Sequence, residues 1–199
     1  MKFKRFSAIA PAVIAVAAIF SIASEALAQA PTQVKFATSA GEFVVEVYPD
    51  KAPKTVANFL QYVQDKHYDG TIFHRVIPNF MIQGGGFDAK YVQKPTRAPV
   101  VHEGREALAK GGPRNVTGTL AMARTGDPQS ATAQFFINVK DNAFLDPSER
   151  DFGYTVFGKV TSGMEVIQKI KAVPTGPAGP FGSDVPKAPI LINSATLVK

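Results

Sequence analysis

Residues 73–86 read Phe73-His74-Arg75-Val76-Ile77-Pro78-Asn79-Phe80-Met81-Ile82-Gln83-Gly84-Gly85-Gly86. The apolar runs predict two short strands, over residues 71–77 and 80–83, joined by a turn. The three glycines are predicted to end the second strand, because glycine permits positive φ and close backbone approach. The stretch also places a permanent cation, Arg75, among apolar side chains, with the amide of Gln83 close behind. This combination suits a reaction that needs a fixed positive charge and a shaped apolar surface, without a covalent step.

Short strands are also predicted on both sides of this stretch, from alternating apolar and polar residues bounded by turn signals. They cover residues 33–48 (as a hairpin), 118–123, 133–139, 154–160 and 190–198. Two helices are predicted, one starting at Pro53 and one carrying Met164 and Ile167 on its apolar side. Many short strands with only two helices indicate an antiparallel barrel or sandwich with capping helices.

Two longer segments lack a periodic pattern. Residues 87–115 are polar and are predicted to be mostly loop, with one helical turn at 106–110. Residues 174–189 hold five prolines and three glycines and are predicted to form a loop or strap without regular structure.

The strand at 133–139 has an unusual outer face. Successive side chains of a strand point to opposite sides, so Phe135 and Ile137 share one face and Gln134 and Phe136 share the other. The first face is typical of a core. The second combines an amide with a phenyl ring, which favours a binding surface over a plain solvent face.

The first 28 residues are predicted to be a signal peptide. A basic start is followed by an almost wholly apolar run over 6–23, and Ala26-Leu27-Ala28 supplies a small-x-small cleavage signal. Cleavage after Ala30 is a second possibility, and an uncleaved membrane anchor is a third, against which Pro11 argues. Removing 28 of the 199 residues leaves a single domain of 171 residues, 29–199.

Composition excludes several classes of function. The leader holds three of the 22 Lys and Arg residues and one of the 16 acidic residues, so the remainder carries +4, too diffuse to indicate nucleic-acid binding. The chain has no Cys, which excludes disulfides and thiol catalysis. Its three histidines, His67, His74 and His102, lack ligand spacing, so neither a metal site nor a cofactor is expected. By strand parity His74 is predicted to face the core.

Several blocks of the sequence, in the same order, resemble the signature of the cyclophilin family of peptidyl-prolyl cis-trans isomerases. The blocks are Phe73-His74-Arg75-Val76-Ile77-Pro78, Phe80-Met81-Ile82-Gln83-Gly84-Gly85, Gly118-Thr119-Leu120-Ala121-Met122-Ala123-Arg124, Ser130-Ala131-Thr132-Ala133-Gln134-Phe135-Phe136-Ile137-Asn138, Leu145-Asp146 and Val156-Phe157-Gly158-Lys159-Val160. Together they extend over essentially the whole chain after the leader. The exported bacterial branch is the most similar, because Ala123-Arg124-Thr125 and Phe152-Gly153-Tyr154 also correspond.

The resemblance implies a mainly β fold, an eight-stranded antiparallel closed β-barrel capped by two α-helices, with a packed interior and a substrate groove on its outer surface. It implies that Arg75 is catalytic, assisted by Phe80 and by Gln83, whose amide orients the arginine and meets the substrate backbone. The implied substrate-binding residues are His74, Met81, Ala123, Arg124, Gln134, Phe136, Phe144, Leu145 and Tyr154. Of these, His74 is expected to be structural or secondary, and Ala123 and Arg124 are expected to pair with the peptide backbone.

Two positions depart from the pattern of eukaryotic members. Phe144 stands where Trp is usual, which removes an indole N–H donor and implies weak cyclosporin binding. Tyr154 stands where a pocket His is usual but keeps an aromatic wall, so catalysis is expected to survive.

The expected protein is thus a monomeric periplasmic isomerase that acts on proline-containing segments, without stable membrane insertion after cleavage. Two other interpretations stay open: a chaperone-like groove that binds such segments with little catalysis, and a barrel that binds small apolar ligands internally. The large inward set of Phe36, Phe135 and Phe157 argues against the last.

Overall fold

The computed structural model describes residues 32–198, and the predicted signal peptide lies outside this range. Ten strands and three α-helices are present in the described part of the chain. The strands are β1 (Gln33–Thr38), β2 (Gly41–Val47), β3 (Thr71–Ile77), β4 (Met81–Asp88), β5 (Thr119–Met122), β6 (Phe135–Asn138), β7 (Val156–Ser162), β8 (Thr175–Ala178), β9 (Phe181–Pro186) and β10 (Leu191–Leu197). The helices are α1 (Pro53–Gln64), α2 (Gly104–Ala109) and α3 (Met164–Lys171).

Eight of these strands close into a barrel in the order β1-β10-β3-β4-β6-β5-β7-β2, and every neighbouring pair is antiparallel. Closure removes the unpaired edges that an open sheet would expose. The predicted eight-stranded antiparallel barrel is therefore confirmed, with α1 and α3 as its two main helices.

Aromatic rings fill the barrel. Phe36, Phe135 and Phe157 are each 0% exposed. Phe59 of α1 reaches the same cluster, with ring centroids 5.0 Å from Phe157 and 6.1 Å from Phe135. Apolar residues of α3, among them Ile167, belong to the same core. The interior is packed, so the interpretation of an internal ligand cavity is wrong.

Helix α1 is held at its start by a residue from a distant segment. Pro53 occupies the first turn, where its missing N–H costs nothing. The buried carboxylate of Glu103 accepts hydrogen bonds from the backbone N–H groups of Lys54 at 3.1 Å and Thr55 at 2.7 Å. These N–H groups have no partner within the helix, so the segment 87–115 is fixed against α1 although most of it has no regular structure.

The prediction that three glycines end the second strand of the opening stretch was wrong. Strand β4 continues through them to Asp88, and the register against β3 shifts on both sides of Phe73. A β-carbon at Gly85 would lie 2.8 Å from the ring of Tyr68 and 3.0 Å from that of Phe135. Glycine is needed there because the strand passes close to core rings, and Gly85 adopts a φ of +83°.

The prediction of a structureless strap over 174–189 was also wrong. Strands β8 and β9 pair into a two-stranded antiparallel hairpin separate from the barrel. A two-stranded hairpin tolerates proline because one side of each strand makes no ladder hydrogen bonds. Phe181 of β9 packs on Phe87, with ring centroids 5.0 Å apart, which fastens the hairpin to the barrel.

Between residues 32 and 198, none of the helices combines the length and apolarity that a membrane crossing needs.

Candidate active site

A row of side chains crosses four neighbouring strands on the outer face of the barrel. Arg75 of β3 is paired with Gln83 of β4, Gln83 with Phe136 of β6, and Phe136 with Ala121 of β5. Directly opposed residues of an antiparallel sheet point to the same side. The barrel register thus places a cation, an amide and a phenyl ring side by side.

Three members of this row, Arg75, Gln83 and Phe136, line a surface cavity of about 90 Å³. We call the surface that lines it the groove. It consists of Arg75, Phe80, Met81, Gln83, Ala123, Arg124, Phe136, Leu145 and Tyr154. Its apolar residues form a cluster of their own, apart from the barrel core. A small apolar ring could therefore be held outside the barrel and beside a cation.

Arg75 is exposed, and its guanidinium makes no hydrogen bond or ion pair with the rest of residues 32–198. The side-chain Nε2 of Gln83 donates to Oε1 of Gln134 at 3.0 Å. The structure therefore places Gln83 next to Arg75 but joins it by a hydrogen bond to Gln134. The guanidinium is left available to a molecule in the groove.

One wall of the groove rests on a network of buried polar side chains that the sequence did not reveal. Asn142 donates to the carbonyl oxygen of Phe80 at 2.8 Å and to Oδ1 of Asn138 at 2.7 Å. Asn115 donates its side-chain amide to the carbonyl oxygen of Leu145 at 3.2 Å, and Asn138 donates to Oδ1 of Asn115 at 3.2 Å. Phe80 and Leu145 both line the pocket, so the network ties the backbone of two lining residues to one buried set of amides.

The family follows from comparison with known proteins. The family model described as "Cyclophilin type peptidyl-prolyl cis-trans isomerase/CLD" matches residues 33–197. The chain belongs to the cyclophilin-type peptidyl-prolyl cis-trans isomerases. It is similar to peptidyl-prolyl cis-trans isomerase A of Dickeya dadantii, with 50% identity over 188 residues that cover 94% of this chain and 96% of that protein. It is also similar to peptidyl-prolyl cis-trans isomerase B of Escherichia coli, with 51% identity over 167 residues that cover 82% and 98%.

A solved structure shares the fold of this cyclophilin-type isomerase. The cyclophilin type peptidyl-prolyl cis-trans isomerase of Cryptosporidium parvum superposes with a TM-score of 0.64 at 23% sequence identity, covering 85% of this chain and 98% of that one. This similarity supports the barrel fold only.

The side chain of Arg124 is held along one rim of the isomerase groove. Its Nε donates to the carbonyl oxygen of Gly153 at 3.0 Å, and its guanidinium carbon lies 4.6 Å from the ring centroid of Tyr154. The backbone N–H of Ala123 donates to the carbonyl oxygen of Gln134 at 3.0 Å, whereas Arg124 makes no backbone–backbone hydrogen bond within residues 32–198. The pairing along β5 therefore ends at Ala123, beside an open backbone segment.

Three predicted substrate-binding residues of this isomerase lie outside the cavity: Gln134, which lines an adjoining polar cavity, Phe144 and His74. Phe144 is 74% exposed and stacks on Phe80 with ring centroids 5.6 Å apart, which places it at the rim. His74 is only 3% exposed and is covered by Phe87 and Phe181, with ring centroids 4.7 Å and 5.4 Å away. A ligand in the cavity does not reach His74 in this arrangement.

His74 was expected to face the core, and the structure corrects this. It is buried, but under the β8–β9 hairpin and not in the barrel core, because the register shift after Phe73 breaks the parity of β3. Its Nδ1 has no hydrogen-bond partner among residues 32–198. Burial lowers the pKa of His74 from 6.5 to about 4, and the charge of Arg75 acts in the same direction.

A second, polar cavity of about 360 Å³ adjoins the groove. It shares Gln83, Ala123 and Arg124 with the groove and is further lined by Gln134. The segment 87–115 contributes Gln93 and Thr96, which sequence analysis missed because no periodic pattern places a loop residue in space. In the described residues, no group of three or more His, Asp or Glu side chains is arranged to hold a metal ion.

Proposed function

We propose that this isomerase is exported and accelerates rotation about Xaa-Pro bonds in other exported proteins, with Arg75 stabilising the twisted amide. The observation that carries the mechanism is the position of Arg75. Its guanidinium has no partner among residues 32–198 and lies at the wall of a cavity lined mostly by apolar side chains. The proposed substrate is a flexible or unfolded segment whose proline ring occupies that cavity. No covalent intermediate is needed.

The reaction requires a hydrogen-bond donor that contacts the amide nitrogen in the twisted transition state and not in the planar isomers. An amide resists rotation by about 18–20 kcal/mol because the nitrogen lone pair is shared with the carbonyl group. In the twisted transition state the nitrogen regains its lone pair. A hydrogen bond from Arg75 to that nitrogen would stabilise the twisted form more than either planar isomer, which is the requirement for catalysis.

The guanidinium supplies this bond at any physiological pH because it stays protonated. Uncatalysed exchange takes tens to hundreds of seconds, so millisecond exchange requires about four decades, or about 5.4 kcal/mol. One charge-assisted hydrogen bond contributes about 1.5–3 kcal/mol. Arg75 therefore accounts for part of the acceleration, and the apolar walls supply the remainder by gripping the ring and excluding water.

The enzyme must hold the peptide on at least one side of the proline so that rotation takes place about the Xaa-Pro bond. The open backbone of Arg124, just beyond the end of β5, offers an edge for an extended peptide. The side chain of Gln83 also lines the cavity and would meet a peptide carbonyl. One end of the substrate would thus be fixed while the other turns.

Export is proposed from the sequence of the first 28 residues, with a basic start, an apolar run and a small-x-small cleavage signal. In the periplasm the isomerase would assist the folding of newly translocated proteins, whose Xaa-Pro bonds equilibrate slowly. Fractionation with intact-mass measurement tests this step. The expected result is a periplasmic chain that lacks residues 1–28; a cytoplasmic chain of 199 residues would contradict export.

The catalytic step is tested by following cis-trans exchange of an Xaa-Pro peptide by NMR, without a coupled protease. We expect the parent to accelerate exchange and Arg75→Ala to lower kcat/KM about a hundredfold, the upper range for one charge-assisted hydrogen bond. The thermal midpoint should not change, since Arg75 is exposed. Arg150→Ala, which removes an exposed charge outside the groove, is the matched control.

Two outcomes would change the proposal. Near-parent activity in Arg75→Ala would remove Arg75 from the catalytic step. Peptide binding by the parent without faster exchange would favour the chaperone-like groove over an isomerase.

A further inference from the structure

Gly86 of β4 lies directly against the side chain of Gln134. A β-carbon at position 86 would stand 2.5 Å from Cγ, 2.6 Å from Cδ and 2.8 Å from Nε2 of Gln134. Non-bonded carbon atoms prefer separations of about 3.5–4.0 Å, so these contacts are not tolerated. Any side chain at position 86 must therefore displace the amide of Gln134.

The backbone of Gly86 does not itself require glycine. Its φ lies outside the left-handed region, in contrast to Gly85 with a φ of +83°. Gly85 also lies against the core rings of Tyr68 and Phe135, whereas the three atoms nearest to a β-carbon at position 86 all belong to Gln134. The two neighbouring glycines thus serve different purposes, one in the core and one at the active site.

We propose that Gly86 is a positioning residue of the active site, which acts through Gln134. The missing side chain lets Gln134 lie across β4, where its Oε1 accepts the hydrogen bond from Nε2 of Gln83. That bond orients the amide of Gln83, which lines both the groove and the polar cavity beside it. This inference rests on the proposed function, in which Gln83 meets the peptide backbone.

A side chain at position 86 should affect peptide binding more than the catalytic step, because Gln134 and Arg75 line different cavities. Gln134 lines the polar cavity but not the one that contains Arg75. A displaced Gln134 would narrow the polar cavity and leave the Gln83 amide without its acceptor, while the guanidinium stays in place. Gly86→Ala should therefore raise KM and leave kcat near that of the parent, because peptide binding weakens in the ground state and transition state alike.

A double-mutant cycle isolates the contact between the two residues. The parent, Gly86→Ala, Gln134→Ala and the double variant are compared in the NMR exchange assay on one Xaa-Pro peptide. We expect Gly86→Ala to lower kcat/KM about threefold to tenfold in the parent background, the range of one neutral hydrogen bond. In the Gln134→Ala background the same change should have almost no further effect, because the crowded atoms are gone. Gly182→Ala, at an exposed glycine of β9 whose β-carbon would meet no atom within 4 Å, is the matched control.

The Nε2 resonances of Gln83 provide a readout that a general loss of stability would not move. They should shift in Gly86→Ala and in Gln134→Ala, and stay unchanged in Gly182→Ala. An equal loss of kcat/KM in both backgrounds, or no loss in either, would overturn the inference.

Folding and function can be separated in the same experiment. If Gly86→Ala fails to fold but the double variant folds, the steric relationship is supported. If neither folds, position 86 requires glycine for another reason and the inference fails. A parent that does not accelerate exchange would instead refute the proposed function, which the parent measurement alone decides.

Discussion

The guanidinium carbon of Arg124 lies 4.6 Å from the centroid of the Tyr154 ring. This contact joins the end of β5 to the segment that precedes β7, and both residues line the groove. Only 10% of the Arg124 side chain is exposed, and its guanidinium also contacts Asp151 and the carbonyl oxygen of Gly153. The arginine is thereby packed along the rim, with its backbone left open to a substrate.

Replacing the ring at position 154 should loosen this rim. A cation–π contact contributes from about 0.5 kcal/mol at an exposed site to about 2 kcal/mol when desolvated, which corresponds to a factor of about two to thirty in binding. We expect Tyr154→Leu to raise KM by about that factor, and Tyr154→Phe, which keeps the ring, to leave KM near the parent value. Steady-state kinetics on an Xaa-Pro peptide would measure both. Equal KM values for the Leu and Phe variants would show that the ring does not matter.

The sequence predicted the arrangement of the groove wherever strand parity determined it. Gln134 and Phe136 are predicted to share one face of a strand. In the structure Phe136 of β6 lines the groove, and Gln134, which directly precedes β6, lines the adjoining polar cavity. Side-chain alternation fixes this as soon as one face is buried in a core. Parity within one strand does not determine which residues of neighbouring strands are paired. The closed barrel determines this, pairing Arg75 with Gln83 and Gln83 with Phe136.

The prediction from strand parity was wrong where the register between β3 and β4 is irregular. The shift between β3 and β4 after Phe73 moved His74 out of the predicted core position and placed it under the β8–β9 hairpin. The buried amide network was equally hidden, because Asn115, Asn138 and Asn142 come from separate segments. Only the folded chain brings their hydrogen-bonding groups together, so no local sequence pattern could have indicated the network.

That amide network should determine both stability and the shape of the pocket. Asn142→Leu would leave Oδ1 of Asn138 without this donor, and an unpaired buried group costs about 1–3 kcal/mol. The carbonyl oxygen of Phe80 would lose one of its two donors and keep the backbone N–H of Val139 at 3.1 Å. We expect the free energy of unfolding to fall by about 1–3 kcal/mol, with a rise in KM as the pocket wall moves. Urea unfolding measures the first effect and kinetics the second. Asn79→Leu, at an exposed turn, is the control, and an equal loss there would argue against the network.

The buried imidazole of His74 should make the protein sensitive to mild acid. Its pKa in the folded chain is about 4, against an ordinary value of 6.5, so the folded state takes up this proton less readily than the unfolded state. As the pH falls from 6.5 to 4, the unfolded state gains the proton first, and stability is lost over that window. The difference between the two pKa values corresponds to about 3 kcal/mol.

The matched comparison is with His74→Gln, which cannot titrate. Unfolding free energies of both proteins, measured at steps between pH 7 and pH 4, should show a steeper loss in the parent. His67 and His102, whose pKa values are also lowered chiefly by burial, titrate in both proteins and cancel from the difference. Parallel curves over this window would show that His74 is not the group responsible.

The rim residue Phe144 should limit the binding of cyclosporin. Its ring is 74% exposed and stacks on Phe80 at 5.6 Å, so a larger indole could occupy the same place without moving the core. Phe144→Trp would restore the N–H donor that this chain, which has no Trp, lacks. We expect it to tighten cyclosporin binding about threefold to tenfold, the contribution of one neutral hydrogen bond. Calorimetric titration of the parent, Phe144→Trp and Phe144→Leu would measure this, with Leu expected to bind no better than the parent. Should the Trp variant and the parent have the same Kd, the missing indole does not limit cyclosporin binding.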